Sequence, residues 1–465
     1  MRAGGMRLRR RATTGETRAP VSAEPRALLE DITSGRDRYA DLLRVGSILL
    51  VVLGHWLLAV ILVREGALVT GQLLAMVPRT RPLTWLFQVM PVFFLVGGFA
   101  NLGSWERSRA DGEPFAVWLR RRAGRLLGPL VPLLLLWAVL AVALGALGLP
   151  GDLVATVAET ALLPAWFLVV YGGIIALVPV TAALHRRFGA GVLLVMLLLI
   201  AAIDVAHHRQ VPGVGYANYL VAWAGIHQLG YFWDHPRLRR GPLMPLAVAA
   251  AGIVATGLLI RLAGYPVSMV GVPGLERQNT SPPTVALVMF ALAQIGLLLA
   301  ARPAVERWLR RDRVYGVVAR MGSVVLTVFL WHMTALIAVA ALLHPIGFWP
   351  RFERVDGGWW ALRPLWILLC ALALIGLVAL FRRFEMLDEP LPHHGRLRAL
   401  AGLAAALIGL AMVMVDGIYR PYRTWKLPLG ALGLLLLGLG SLGVLRRGRA
   451  AAAIGGGDAP ASGGR

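Results

Sequence analysis

The chain has 465 residues, of which 58% are hydrophobic and only 15% are charged, and its mean hydropathy is +0.69. A charged fraction well below the roughly 25% of soluble domains excludes an ordinary soluble protein and indicates an integral membrane protein. The net charge of +23 does not indicate nucleic-acid binding, because the basic residues form short clusters between apolar runs and no continuous basic stripe.

The N-terminal segment precedes every apolar run. Its 41 residues include nine arginines and offer little apolar surface to bury, so we predict a disordered cytosolic arm at residues 1–41. The first apolar run is about 22 residues long, which fits a spanning helix and exceeds the apolar core of a signal peptide.

Twelve apolar runs follow, each long enough or nearly long enough to span a bilayer. They lack the alternation of barrel strands, and backbone polar groups in lipid must be satisfied internally, so we predict an all-α polytopic transmembrane helix bundle. We expect a ten-helix core at residues 42–381, a loop and two additional helices at 382–445, and a disordered cytosolic tail at 446–465. The runs lie at about 42–63, 84–102, 127–149, 165–184, 190–205, 217–233, 243–263, 284–302, 322–343, 361–381, 399–415 and 427–445.

The basic residues indicate the orientation of this bundle. With twelve helices, 34 of the 47 Lys and Arg residues lie on the side of the N-terminus, 11 lie on the opposite side and 2 lie within helices. Because basic residues are concentrated in cytoplasmic loops, we predict that both termini lie in the cytosol.

The first run, DLLRVGSILLVVLGHWLL, contains Arg44 and His55. Eleven residues at 100° each bring both side chains to one helix face, roughly 16 Å apart along the axis. We therefore expect Arg44 at the cytosolic edge and His55 near the middle of the membrane. An ionisable group at that depth indicates a functional site or polar cavity, and a structural histidine with satisfied hydrogen bonds is the alternative.

A second histidine, His332, lies in MGSVVLTVFLWHMTAL at a similar distance from the cytosolic end. Because the two histidines lie at similar depths, we expect His55 and His332 to face one cavity. A neutral imidazole can accept a hydroxyl proton near physiological pH, which suits a general base that activates an alcohol. The alternative is a structural role for His332, with Thr327 or Thr334 as its partner.

Arg121 and Arg125 are four residues apart in the cytosolic run WLRRRAGRLLGPLVP and so share a helix face. Arginine binds phosphate oxygens through its planar fork, which suits the 3′-phosphate and pyrophosphate of coenzyme A. The alternative is that these are ordinary arginines of a cytosolic membrane boundary.

Other polar residues carry weaker hypotheses. His227 and Gln228 are candidates for lining the cavity. Asp204, His207 and His208 have the composition of a metal site, but we expect a solvated loop there.

These motifs, together with MPVFFLVGGFA, AWFLVVY and FLWHM, resemble in order the membrane-bound acyltransferase family 3, over about residues 38–381. The resemblance implies an integral-membrane O-acyltransferase in which His55 is catalytic, Arg44 supports the site, and Arg121 and Arg125 contact the acyl donor. WAGIHQLGYFWD and NTSPPTVALVMFALAQIGLL look like an actinobacterial-type subgroup, so the resemblance also implies a location in the bacterial plasma membrane. GGFAN departs from the glycine- and serine-containing turn often found in the second helix.

The expected reaction moves an acyl group, most simply acetyl from acetyl-CoA, to a hydroxyl of a sugar, envelope polymer or secondary metabolite. The expected partners are acyl-CoA as co-substrate, this acceptor and membrane lipid. His55 either deprotonates the acceptor or carries the acyl group, and His332 assists or stabilises developing negative charge. No metal is indicated. A proton-coupled secondary transporter is the alternative, since buried histidines in a helix bundle suit that class as well.

Overall fold

The computed structural model describes residues 36–344, 347–384 and 395–445. The predicted arm up to residue 35, the predicted tail at 446–465 and most of the loop after residue 384 lie outside the described residues.

The described residues form a bundle of helices, which confirms the all-α prediction, and each of the twelve apolar runs contains a helix. Among them, nine helices are long and apolar enough to span a membrane, or ten if the bent pair α5–α6 counts as one span. The helices are α1 (Arg38–Leu58), α2 (Leu73–Met76), α3 (Thr84–Phe87), α4 (Met90–Ala110), α5 (Phe115–Leu127), α6 (Leu130–Ala146), α7 (Gly151–Leu162), α8 (Ala165–Phe188), α9 (Gly191–His208), α10 (Ala217–Leu229), α11 (Pro236–Arg239), α12 (Leu243–Ala263), α13 (Val285–Leu309), α14 (Asp312–Gly322), α15 (Val325–Leu343), α16 (Gly357–Ala361), α17 (Arg363–Phe381), α18 (Arg396–Asp416) and α19 (Leu429–Leu442).

Two predicted spans differ from a regular spanning α-helix. Helix α10 has 13 residues, but 3₁₀ turns at Val214–Tyr216 and Gly230–Phe232 extend it to 19 consecutive helical residues. Helix α19 has 14 residues, whereas about 20 are needed to cross the apolar layer. Helix α10 is nevertheless well buried, because it packs against α4, α8, α9 and α13. It therefore belongs to the interior of the bundle.

The first apolar run is only partly helical. Helix α1 ends at Leu58, and the chain continues into an antiparallel hairpin of strands β1 (Ala59–Arg64) and β2 (Ala67–Gln72). The β-branched residues of AVILVR favour a strand. The hairpin is a difference from the prediction, which extended the first helix to residue 63.

The start of α1 is fixed by one carboxylate. Oδ1 of Asp37 caps the helix by accepting hydrogen bonds from the backbone N–H groups of Tyr39 and Ala40, both at 2.9 Å. Oδ2 accepts from Trp233 Nε1 at 2.7 Å and from Arg302 Nη2 at 2.9 Å. Asp37 therefore ties the start of α1 to the segment after α10 and to the end of α13.

Helices α5 and α6 form a broken span with a bend of 40° at Gly128 and Pro129. The proline has no N–H to continue the hydrogen-bonding ladder, which explains why the helix breaks there. Helix α5 carries four arginines, and α6 is almost wholly apolar. The break thus separates a charged helix at the end of the bundle from an apolar one within it.

The last two helices pack closely on each other and on the core. Gly409 lies against the backbone of Leu435, and Gly438 lies against that of Ala406, so neither position has room for a larger side chain. The buried Arg120 of α5 donates from Nε to the carbonyl of Leu442 at the end of α19 over 3.1 Å. The C-terminal pair therefore braces the arginine-bearing helix.

Candidate active site

His55 and His332 lie in direct contact within the bundle. Nδ1 of His55 is 2.9 Å from Nε2 of His332, and the two rings are nearly parallel, with centroids 5.0 Å apart. His332 is completely buried, whereas His55 keeps partial exposure. Two histidines that are 277 positions apart in the sequence thus form one pair.

The hydrogen bonds determine which nitrogens carry protons when both rings are neutral. Nδ1 of His332 is 2.5 Å from the carbonyl oxygen of Phe329, which can only accept, so this nitrogen donates. Nε2 of His332 is then the acceptor for the Nδ1–H of His55. With the protons placed in this way, Nε2 of His55 keeps a basic lone pair that has no hydrogen-bond partner among the described residues.

Side chains next to the histidine pair donate hydrogen bonds to the backbone of both helices. Trp56 Nε1 donates to the carbonyl of His332 at 3.0 Å and so joins α1 to α15 beside the two rings. Where α1 ends, Nη1 of the buried Arg363 donates to the carbonyl of Ala59 at 3.1 Å, and its guanidinium lies 3.4 Å from the ring centroid of Trp359. Thr334, a candidate partner for His332, instead accepts from Trp137 Nε1 at 3.0 Å.

Arg44 lies more than three turns from His55, toward the start of α1. Its Nη2 forms an ion pair with Asp41 at 2.9 Å, and Nε is buried with no partner among the described residues. Tyr315 of α14 donates to Asp41 at 2.9 Å, and burial together with that carboxylate raises the pKa of Tyr315 to about 12. Arg44 is therefore fixed at the end of the bundle and does not contact either histidine directly.

Arg121 and Arg125 lie one turn apart on α5, and both side chains are exposed. Arg121 forms an ion pair with Glu113, which also accepts from Ser108 Oγ at 2.5 Å. Both arginines lie at the same end of the bundle as Arg44, because α1 starts there and α4 returns to it. The candidate site therefore has two parts, a histidine pair inside the bundle and an exposed arginine pair at its end.

The structure adds Arg122, which sequence reasoning overlooked. Unlike its exposed neighbour Arg121, it is partly buried and donates from Nη2 to the carbonyl of Ala100 at 2.8 Å. Its Nε is buried without a partner among the described residues. Helical spacing gave part of the signal, because Arg122 is about 100° from Arg121 around the helix axis and so cannot share the face of Arg121 and Arg125.

The GGFAN segment forms part of a buried polar cluster. Asn101 Nδ2 lies 3.1 Å from Tyr171 Oη and 3.0 Å from His227 Nε2. A side chain at Gly97 would clash with Tyr171, and one at Gly98 would clash with the backbone of α10. The two glycines allow these close approaches, and the asparagine supplies the hydrogen bonds.

Gln228, the neighbour of His227, is also completely buried. Neither its amide nitrogen nor its amide oxygen has a hydrogen-bond partner among the described residues. Its placement inside the bundle agrees with the sequence hypothesis in position. A role in lining a cavity stays a prediction.

The Asp204 cluster differs from the expected solvated loop. Asp204 is only 2% exposed; it accepts from Tyr265 Oη at 2.8 Å and from the backbone N–H of Val285 at 2.9 Å. Burial and this carboxylate raise the pKa of Tyr265. His208 Nδ1 lies 3.3 Å from Asp204 Oδ1. The aspartate therefore joins α9 to the start of α13, and no group of three potential metal ligands occurs in the described ranges.

Comparison with known proteins places this arrangement in a family. A family model described as an acyltransferase domain matches residues 37–382, from the cap of α1 to the residue after α17. No curated protein and no solved structure matches the chain. The match includes both histidines and both arginines and stops before α18 and α19.

Proposed function

The chain belongs to the membrane-bound acyltransferase family 3, and from that premise we propose that it transfers an acyl group from cytosolic acyl-CoA to an acceptor hydroxyl. The acyl group is most simply acetyl, and the acceptor is a sugar, an envelope polymer or a secondary metabolite. The observation that carries the proposal is the 2.9 Å contact between His55 and His332, which leaves a basic nitrogen on His55.

The proposed reaction uses that nitrogen as a general base. His55 Nε2 takes the proton of the acceptor hydroxyl while its oxygen attacks the thioester carbonyl. The C–S bond then breaks, and the departing thiolate of coenzyme A receives the proton from His55. His332 keeps His55 in the required tautomer, since its own Nδ1–H is held by Phe329. An alternative route, in which His55 carries the acyl group transiently, uses the same nitrogen.

Arg121 and Arg125 are the proposed contacts for the donor. Their exposed guanidinium groups suit the phosphates of coenzyme A, which remain in water while the thioester reaches the histidines. The excess of basic residues at this end of the bundle supports a cytosolic location for it in the plasma membrane. Donor and basic nitrogen would then approach from the same side.

The transporter alternative is not favoured. Family membership identifies an acyltransferase, and among the described residues neither His55 nor His332 lies within 4 Å of a carboxylate that would relay protons. A carrier would move substrate across proteoliposomes without acyl-CoA, whereas an acyltransferase breaks the thioester. The two functions are therefore separable in one preparation.

The test uses purified protein and acetyl-CoA labelled in the acetyl group. We expect slow hydrolysis without acceptor and label transfer when envelope glycans or secreted metabolites are added. His55→Ala lowers both rates by about 10³-fold. His235→Ala, which changes an exposed histidine at the end of the bundle, leaves both rates unchanged. Mass spectrometry of cells with and without the gene then identifies the acceptor by the loss of one acyl mass. Thioester cleavage by His55→Ala at a rate close to that of wild type contradicts the proposal.

A further inference from the structure

A cleft opens at the end of the bundle opposite α5. It lies between the turn Pro78–Leu83 and the loop 264–277, and we call it the distal cleft. Arg38 at the start of α1 donates to the carbonyl of Leu309 at the end of α13, so these two helix termini lie at the same end of the bundle as α5. The loop that precedes α13 and the turn that precedes α4 therefore lie at the opposite end, and they form the two walls. The cavity volume is about 680 Å³, within the range of roughly 300–1,000 Å³ that holds small molecules.

The distal cleft is rich in guanidinium groups. Arg79, Arg81 and Arg277 line it, with Glu276 as its acidic residue. These arginines come from two loops nearly 200 residues apart, in a half of the molecule where basic residues are scarce. Within the described ranges, no carboxylate lies within 4 Å of any of the three. The cleft therefore carries an uncompensated positive charge.

The guanidinium groups are oriented but retain N–H donors. Arg81 donates from Nε to the carbonyl of Leu74 at 3.1 Å, and its two terminal nitrogens form no hydrogen bond or ion pair with other described residues. The Cζ atom of Arg277 lies 3.4 Å from the ring centroid of Tyr265, and Arg277 donates to the carbonyl of Ala263. Arg79 is exposed and makes no hydrogen bond or ion pair in the described part of the chain.

The walls of the distal cleft are held together by side chains that bond to backbone. Gln88 Nε2 donates to the carbonyl of Met269 at 2.7 Å, and Thr84 Oγ1 accepts from the N–H of Met269 at 2.8 Å. Trp85 Nε1 donates to the carbonyl of Val267 at 2.8 Å. A ligand thus meets a preformed site, which lowers the entropy lost on binding.

The segment that forms one wall also contacts the catalytic helix. Phe87 packs against Gly54, where an added Cβ would lie 3.3 Å from Phe87 Cδ1. Gly54 directly precedes His55, which lies only three residues before the end of α1 at Leu58. The distal cleft is therefore on the side of the bundle toward which His55 is displaced, opposite the arginines proposed for the donor.

We propose that the distal cleft binds an acceptor through an anionic group, a carboxylate or a phosphate, carried on the molecule that receives the acyl group. This inference rests on the proposed function. Arginine forks bind both anions through paired hydrogen bonds, and three converging guanidinium groups favour a charged sugar over a neutral one. A phospholipid headgroup offers the same chemistry, so the test separates the two sources.

The experiment measures the binding of glucuronate and of glucose to the purified protein in nanodiscs of zwitterionic lipid. These probes differ in one carboxylate. We expect wild-type protein to bind glucuronate at least tenfold more tightly than glucose, and the double variant R79Q/R81Q to lose that preference. R351Q, which removes an exposed arginine away from the cleft, keeps it. E276Q tightens glucuronate binding because it removes a repelling charge.

Three results overturn the proposal. One is equal binding of the two sugars by wild-type protein, and another is unchanged glucuronate binding by R79Q/R81Q. The third is a double variant that loses only phosphatidylglycerol, measured by native mass spectrometry in a second set of nanodiscs to which that lipid is added, which assigns the cleft to lipid. Hydrolysis of acetyl-CoA is measured in the same samples. If hydrolysis is absent while glucuronate binding persists, the proposed function fails and the anion site stands.

Discussion

The histidine pair and the arginine pair of this acyltransferase are held in opposite ways. His55 and His332 come from distant helices and form one hydrogen-bonded unit in the bundle, with His332 wholly buried. Arg121 and Arg125 belong to the same helix but are exposed, and within the described part of the chain only Arg121 has an ion-pair partner, Glu113. The histidines should thus act as a unit, because each sets the proton position of the other, while the arginines should act independently.

The largest expected effect comes from His55→Ala. General-base catalysis contributes about 10²–10⁴-fold, so we expect the rate of acetyl transfer to fall by about 10³-fold, with a KM for acetyl-CoA close to that of wild type. The measurement is the initial rate against donor concentration. A drop of less than tenfold would mean that another group serves as the base.

The unit behaviour of the pair is tested by His332→Ala and by the double variant. We expect His332→Ala to lower kcat by roughly 10²-fold, because His55 loses the acceptor that sets its tautomer. Since His332 acts only through His55, the double variant H55A/H332A should be no slower than H55A alone. If the rate of the double variant falls by the product of the two single losses, the two histidines act separately. Melting temperatures of all three variants control for folding.

The arginine pair should affect donor binding. A hydrogen bond to a charged group contributes about 1.5–3 kcal/mol, less at an exposed site, so Arg121→Ala and Arg125→Ala should each raise KM about 3- to 10-fold with little change in kcat. Their effects should multiply in the double variant. An acyl donor that lacks the 3′-phosphate is the matched probe, because the variants should discriminate against it less than wild type does. A fall in kcat at unchanged KM would contradict a donor-binding role.

The smallest expected effect is that of Glu113→Gln. Removal of this carboxylate releases Arg121 and takes a negative charge away from the donor phosphates, so KM for acetyl-CoA should fall about two- to fivefold. Exposed charges are screened over roughly 10 Å at 0.1 M salt, so the difference should shrink as salt increases. Asp111→Asn, an exposed acidic residue nearby, is the control. A rise in KM would indicate that the ion pair orders Arg121 for binding.

The sequence predicted the fold well because lipid leaves few choices. Long apolar runs must form helices when water cannot satisfy their backbone, and all twelve runs contain one. The errors lie where run length alone cannot decide. Residues 59–63 were assigned to the first helix but form a β-strand, and α19 is shorter than the predicted run 427–445. Hydropathy measures the preference for an apolar environment and does not distinguish lipid from protein interior.

The sequence also identified the candidate residues, because local spacing is enough to place Arg121 beside Arg125 on one face of α5. Asp204 shows the limit of this approach: its apparent position in a solvated loop was wrong, since Tyr265 and the start of α13 cover it. The role of GGFAN could not be predicted from the sequence either, because the hydrogen-bond partners of Asn101 lie on α8 and α10. Contacts between distant segments do not follow from the spacing within one.

The amino-acid sequence by itself determined the membrane class, the helical architecture and the family, since each depends on composition or on motifs in order along the chain. Only the tertiary structure decided that His55 bonds to His332, and that Arg79, Arg81 and Arg277 converge on one cleft. Helical periodicity places a side chain on a face of its own helix. Which partner that face meets depends on the packing of whole helices, and packing brings together residues that no local pattern connects.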